Sequence, residues 1–165
     1  FLIKEHLPEM LERADENDTV IGVIYIDIDN LKPVNDMFGH EAGDAVILNV
    51  AEAIHEDAHD NDLSIRLGGD EFAIFTELAE RDHIKTLKDR AQSLQDTMSL
   101  PLYFEGEEVR VQASIGLAFY PEHGRNVDSI LNAADEAMYK AKQSGKGKIV
   151  VQDKENSSAP HSEKA

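Results

Sequence analysis

Residues 20–28 read Val-Ile-Gly-Val-Ile-Tyr-Ile-Asp-Ile, a run that Asp27 alone interrupts with a charge. Such a run, too apolar to alternate, predicts a central strand buried on both faces. The fold must therefore supply neighbouring strands and covering layers for it. The run ends in Asp27-Ile28-Asp29, which brings two acids to the end of that strand. It falls well short of the roughly 20 residues needed to span a membrane.

Other periodicities supply the partners. Leu2, Ile3, Leu7, Met10 and Leu11 recur at helical spacing over residues 1–14, with Pro8 expected to kink the helix. The chain starts inside this pattern with no capping residue before it, as expected of an N-terminally truncated domain. After a polar turn region, residues 42–59 predict a helix with Ile47, Val50 and Ile54 facing inward. Leu63, Ile65 and Leu67 alternate, Gly68-Gly69 follow, and residues 72–75 are apolar again, which predicts a β-hairpin bent at the glycines. Ile84, Leu87, Ala91, Leu94 and Met98 mark a further amphipathic helix. A second hairpin is expected from residues 102–104, the Glu105-Gly106-Glu107 turn and the alternation from Val109 to Leu117. A last helix, carrying Val127, Ile130, Leu131, Ala134, Met138 and Ala141, should stop near Gly145, before a short strand at residues 149–151. Residues 153–165 hold no large apolar side chain and read as a disordered tail or linker after a domain of residues 1–152. The expected class is α+β, an antiparallel-rich central sheet with packed helices.

Charge narrows the function. The 165 residues carry 33 Asp and Glu against 16 Lys and Arg, a formal charge of −17. Such a surface repels a polyphosphate backbone, so no nucleic-acid partner is expected. A phosphorylated ligand would have to be met by metal ions or by a few placed lysines. There are no cysteines, which excludes disulfides, thiolate metal sites and cysteine nucleophiles. With neither an export signal nor a membrane span in sight, a cytoplasmic domain without direct membrane contact is expected, a placement that also suits the cytoplasmic part of a membrane-anchored sensor.

Two acid pairs carry the candidate chemistry: Asp27 with Asp29 at the strand end, and Asp70 with Glu71 at the hairpin bend. Acids in turns are common, and this pattern suits an ordinary polar turn. It also suits, less often, a hard oxygen site for magnesium in phosphoryl transfer. His40-Glu41 fails the H-E-x-x-H zinc pattern because Asp44 stands where the second histidine belongs. His55 and His59 share a helical face but have no third ligand in view, and read as a solvated surface.

The words around these acids are more specific. Arg66-Leu67-Gly68-Gly69-Asp70-Glu71-Phe72 follows Asp27-Ile28-Asp29-Asn30-Leu31-Lys32, Asn35-Asp36, Gly39-His40 and Gly43-Asp44, and precedes Ala134-Asp135-Glu136-Ala137-Met138-Tyr139 with Lys142 and Lys146. Four blocks in this order closely resemble the GGDEF domain of diguanylate cyclases, which condense two GTP into cyclic di-GMP and release pyrophosphate. The resemblance implies a fold like the nucleotidyl cyclase and polymerase palm. It also implies a metal centre, magnesium or manganese, held by Asp27, Asp70, Glu71 and the Ile28 carbonyl. Asp70 or Glu71 would help deprotonate the attacking 3′-hydroxyl. Gly68 and Gly69 would let the backbone approach the phosphates. The N–H groups of Leu31 and Lys32 would meet the outer phosphates, which Lys142 and Lys146 would also reach. Asn35 and Asp44 would read guanine, since an ionised carboxylate accepts from both N1–H and the 2-amino group. His40 would lie near the nucleotide. A transient homodimer and an upstream sensor or regulatory module are the implied partners.

Three departures stand out. Many members carry an Arg-x-x-Asp inhibitory site that binds cyclic di-GMP; here the four residues are His59-Asp60-Asn61-Asp62. Asp62 remains, the guanidinium fork is lost, and Arg90 is left as a lateral contributor to a degenerate site. Leu31 and Leu67 replace frequent aromatics, and Lys146 replaces a common Arg. An active cyclase is the expected function; a weakly catalytic GTP-binding module that controls a neighbouring domain is the alternative.

Overall fold

A computed structural model describes residues 2–154 of the protein. The elements are α1 (Leu2–Asn17), β1 (Thr19–Asp29), α2 (Leu31–Phe38), α3 (His40–Asp57), β2 (Leu63–Gly68), β3 (Glu71–Ala79), α4 (His83–Met98), β4 (Leu102–Phe104), β5 (Glu107–Val109), β6 (Gln112–Tyr120), α5 (Val127–Gln143) and β7 (Ile149–Val151). Five strands form one sheet in the order β2-β3-β1-β6-β7. β1 lies at its centre, antiparallel to β3 and β6, and β7 joins β6 in parallel. The α+β class with an antiparallel-rich sheet is what the sequence implied. The tail expected at residues 153–165 falls almost wholly outside the described residues.

Both faces of β1 are covered, as its continuous apolar run required. Ile24, Ile26 and Ile28 pack with Val46 and Val50 of α3 and Leu87 and Leu94 of α4. Ile21, Val23 and Tyr25 pack on the other side with Leu7 and Leu11 of α1 and Ile130 and Met138 of α5. The two-residue period of the strand therefore sorts its residues between two helical layers.

Two expectations need correction. The polar region before the α3 helix contains α2, whose Val34 is buried while Leu31 and Phe38 pack beside it, an apolar stripe too short to register in a long window. The second hairpin is only β4 with β5, a separate two-stranded sheet. The residues after Val109 break away at Arg110–Val111 and form β6, buried from Ala113 to Tyr120 because both of its faces are covered. Pro8 sits inside α1 without ending it. α5 stops as expected, with Gly145 just beyond its end at φ 113°.

Gly116 decides how closely α5 approaches. It pairs with Tyr25 across the β1–β6 ladder, and a Cβ there would overlap the Ala134 carbonyl oxygen and the Met138 nitrogen. Those are backbone atoms of a helix and cannot swing aside. We predict that Gly116→Ala lowers stability by about 1–3 kcal/mol in denaturant titrations, the usual cost of overpacking. Gly69→Ala, where a Cβ meets nothing within 4 Å, should stay within about 0.5 kcal/mol of the unmodified protein.

Candidate active site

The end of β1 gathers acids by register. Asp27 is paired with Glu71 at the start of β3 and with Ser114 on β6, and shares the α5-facing side with Tyr25 and Asp29. Asp70 occupies the two-residue bend between Gly68 and Glu71. Its carbonyl accepts the Ile28 N–H at 3.0 Å, which pins the bend to β1. The Arg66 guanidinium braces the same bend, with Nε donating to the Gly68 carbonyl at 3.2 Å and Nη2 to the Gly69 carbonyl at 2.7 Å. Gly68 and Gly69 are not left-handed; what they contribute is open space above the turn.

Asp29, only 1% exposed, is fully engaged. It accepts from Ser114 Oγ at 2.7 and 2.9 Å, from the Gly147 N–H at 2.9 Å and from Lys142 Nζ at 3.1 Å. Lys142 also pairs with Asp27 Oδ2 at 3.3 Å. The sequence assigned this lysine to phosphates and to the helix end; in the structure its partners are the two aspartates. Burial works against its charge, but Asp29 and Asp27 outweigh burial and raise its pKa. Asp27 has less support: its Oδ1 is buried without a hydrogen-bond partner. Burial, opposed by Lys142 and reinforced by Asp70 and Glu71, pushes its carboxyl up to about 7. Tyr25 donates to Glu71 Oε1 at 3.3 Å, and burial together with the charges of Asp135 and Glu71 pushes its phenol up.

This donor set fits a hard divalent cation. Asp27, Asp70 and Glu71 offer only oxygens, and the orphaned Asp27 Oδ1 lacks the positive partner that such a cation supplies. Among the described residues, no three acidic or imidazole side chains already surround one point as ligands.

Next to Asp29, Asn30 begins α2 in a left-handed conformation (φ 57°, ψ 36°) and makes no side-chain cap bond; the first turn of α2 holds no acid. An uncapped helix start with its N–H groups unclaimed by side chains suits an anion. Leu31 and Lys32 open that turn, and Lys146 Nζ donates to Asn30 Oδ1 at 2.9 Å. Asn35 Oδ1 is buried without a partner, and a Cβ on Gly43 would overlap it, so the α2–α3 contact needs glycine there. Asp44 and His40 are exposed on the first turns of α3.

Residues 1–148 match the family described as diguanylate cyclase, GGDEF domain. The chain belongs to the GGDEF family. It is 37% identical over 145 residues to the bifunctional diguanylate cyclase/cyclic di-GMP phosphodiesterase MucR of Pseudomonas aeruginosa, covering 88% of this chain and 21% of that protein. It is 35% identical over 149 residues to the cyclic di-GMP phosphodiesterase PdeR of Escherichia coli, covering 90% of this chain and 22% of that protein. The crystal structure of the GGDEF domain of TpbB from Pseudomonas aeruginosa superimposes with a TM-score of 0.82 at 35% identity, covering 89% of this chain and 91% of that one. The chain thus spans about a fifth of the length of MucR and PdeR.

Of the residues expected to form a degenerate inhibitory site, Arg90 and Asp62 are turned toward each other. Arg90 Nη2 donates to Asp62 Oδ2 at 2.5 Å and Arg90 Nε to Asp57 Oδ2 at 2.7 Å, with both the Arg90 and Asp62 side chains under 10% exposed. The His59 backbone N–H completes Asp62 at 2.9 Å. His59 itself is exposed. Arg90 and Asp62 are therefore partners of each other, tying the α3–β2 loop to α4. Burial raises the Asp62 pKa, but hydrogen bonds from Arg90, His59 and Thr76 outweigh burial and hold it below the usual carboxylate value.

The sequence marked Asp29 only as one acid of a possible cation site, and assigned no role to Ser114, Gly147 or Tyr25 and no bracing role to Arg66. Ser114 was the available signal, a single polar residue within the buried, otherwise apolar run from Ala113 to Phe119. We predict that Arg90→Ala destabilises the domain by about 3–5 kcal/mol, because it strands a buried carboxylate. A depressed folded pKa means that the Asp62 contribution is full above the unfolded value of about 3.9 and disappears as pH falls through the folded value. Acid unfolding of the unmodified protein should accordingly begin at lower pH than that of Arg90→Ala, as followed by circular dichroism.

Proposed function

We propose that residues 1–152 form a diguanylate cyclase domain that condenses two GTP into cyclic di-GMP. The observation that carries this reading is the buried, unpartnered Asp27 Oδ1 beside Asp70 and Glu71, at a strand end that opens onto the uncapped start of α2. Asp27, Asp70, Glu71 and the Ile28 carbonyl would hold magnesium or manganese. The bound cation would neutralise phosphate charge and lower the pKa of the attacking hydroxyl.

The remaining roles belong to the chain. The Leu31 and Lys32 N–H groups, with Lys146, bind the outer phosphates at the α2 start, with Gly68 and Gly69 leaving room for them. Asn35 and Asp44 accept from the guanine edge, and His40 lies beside the nucleotide. In the reaction the 3′-oxygen of one GTP attacks the α-phosphorus of the other. A P–O3′ bond forms, the bond to the β-phosphate oxygen breaks, and pyrophosphate leaves. The hydroxyl proton passes to the Asp70 or Glu71 carboxylate. Each copy presents one GTP, so two copies must face each other, and an upstream module would govern that meeting from the cytoplasmic side. No described helix is long and apolar enough to cross a membrane.

The similarity to PdeR, named as a phosphodiesterase, favours a second reading: a GTP-binding module that regulates an adjoining domain. Incubation of concentrated protein with GTP and magnesium, followed by chromatography, separates the two. The cyclase reading predicts cyclic di-GMP from the unmodified protein and none from a folded Asp70→Asn variant. Normal turnover by that variant would overturn the role of Asp70. Asp44→Ala should weaken GTP by about tenfold or more while leaving ATP nearly unchanged, given the worth of hydrogen bonds to a charged group. Equal losses for both nucleotides in a binding titration would remove Asp44 as the base reader.

A further inference from the structure

We propose that Lys142 is a built-in stand-in for the divalent cation, holding the carboxylates at the end of β1 in the nucleotide-free domain and leaving them when metal and nucleotide bind. The inference rests on the metal-centre reading above and adds how that centre is regulated. Lys142 Nζ lies 3.3 Å from Asp27 and 3.1 Å from Asp29, and among the described residues it is the only lysine or arginine in an ion pair with either. Its side chain is 24% exposed, so the ammonium has a route toward solvent.

The two aspartates would feel its departure differently. Asp29 keeps both Ser114 contacts and the Gly147 N–H, so its oxygens remain satisfied. Asp27 loses its ion pair, and its Oδ1 has no hydrogen-bond partner to begin with. A buried carboxylate left in that condition demands a new positive partner. The arrangement is therefore less costly to open on the Asp29 side than on the Asp27 side, where a cation must take the place of the ammonium. The released lysine stands on the last turn of α5, beside the loop whose Lys146 reaches Asn30 at the start of α2. A triphosphate bound at that start would draw it over. Lys142 then opposes metal binding in the free domain and favours nucleotide binding, so metal and nucleotide assist each other. Such coupling acts equally in both directions.

A lysine that served only as a phosphate contact would leave metal affinity untouched in the absence of nucleotide. Calorimetric titration of the nucleotide-free protein with MgCl2, repeated with MnCl2, separates the cases. The proposal predicts that Lys142→Met binds the cation at least about tenfold more tightly than the unmodified protein, about 1.4 kcal/mol. It also predicts a larger rise in Tm on adding the cation. Lys142→Arg, which keeps the charge, should retain the weaker affinity. Equal or weaker cation binding by Lys142→Met overturns the proposal. Should Lys142→Met be too unstable to titrate, Lys142→Gln replaces it, and thermal recovery of that variant by MgCl2 supports the exchange while its absence refutes it. Cyclic di-GMP formation by the unmodified protein is scored separately. Product without the affinity change refutes the exchange alone, and the affinity change without product refutes the cyclase reading alone.

Discussion

Burying the Asp29 carboxylate at the end of the central strand sets the positions of the elements around it. A carboxylate removed from water is tolerated only when its oxygens are met by donors. Here the donors come from β6 through Ser114, from α5 through Lys142 and from the α5–β7 loop through Gly147. Lys142 and Gly147 could not reach Asp29 if α5 stood further from the sheet. The bare surface at Gly116 is what allows the helix backbone to lie against β6. One polar group at a strand end and one missing Cβ on the neighbouring strand thus fix the same helix from two directions.

That geometry also explains why the acids of the site are chemically unequal. Asp27 and Asp29 are two residues apart on one face of one strand, yet Asp29 is saturated and Asp27 is left with an orphaned oxygen. The hairpin bend adds the charges of Asp70 and Glu71, and Lys142 is shared between both strand-end carboxylates. The local charge is therefore unbalanced at Asp27, which feels the charges of Asp70 and Glu71 beside the Gly-Gly bend. The start of α2 follows directly from the same strand end, so a cation seeking oxygens and an anion seeking N–H groups are served by adjacent residues. A chain with a formal charge of −17 can hold a triphosphate only through such local concentrations of positive potential.

Much of this was legible in the residues. The apolar run of β1 required two covering layers, and the Asp-x-Asp spacing placed both acids on one face because strand side chains alternate. The Gly-Gly-Asp-Glu-Phe word carried the hairpin and the family. α2 was not legible, since only three of its eight residues, Leu31, Val34 and Phe38, face the core, and so short a stripe resembles a polar loop. Nor was the division of residues 102–120 between a small hairpin and a central strand: alternation in sequence does not say which neighbour a strand will find. The partners of Lys142 and Arg90 were hidden for the same reason. Local sequence marks a basic residue at a helix end or on a helix face, but the carboxylate it meets is set by tertiary packing, across 113 positions for Lys142 and Asp29 and 28 for Arg90 and Asp62.

The central claim is that the carboxylates at the end of β1 are completed by a divalent cation. Anomalous diffraction at the manganese edge tests it most directly, on crystals grown with MnCl2 and a non-hydrolysable GTP analogue. The account predicts a manganese peak against Asp27 Oδ1 on the side of Asp70 and Glu71. A peak elsewhere, or bound nucleotide with no manganese at Asp27, would contradict it.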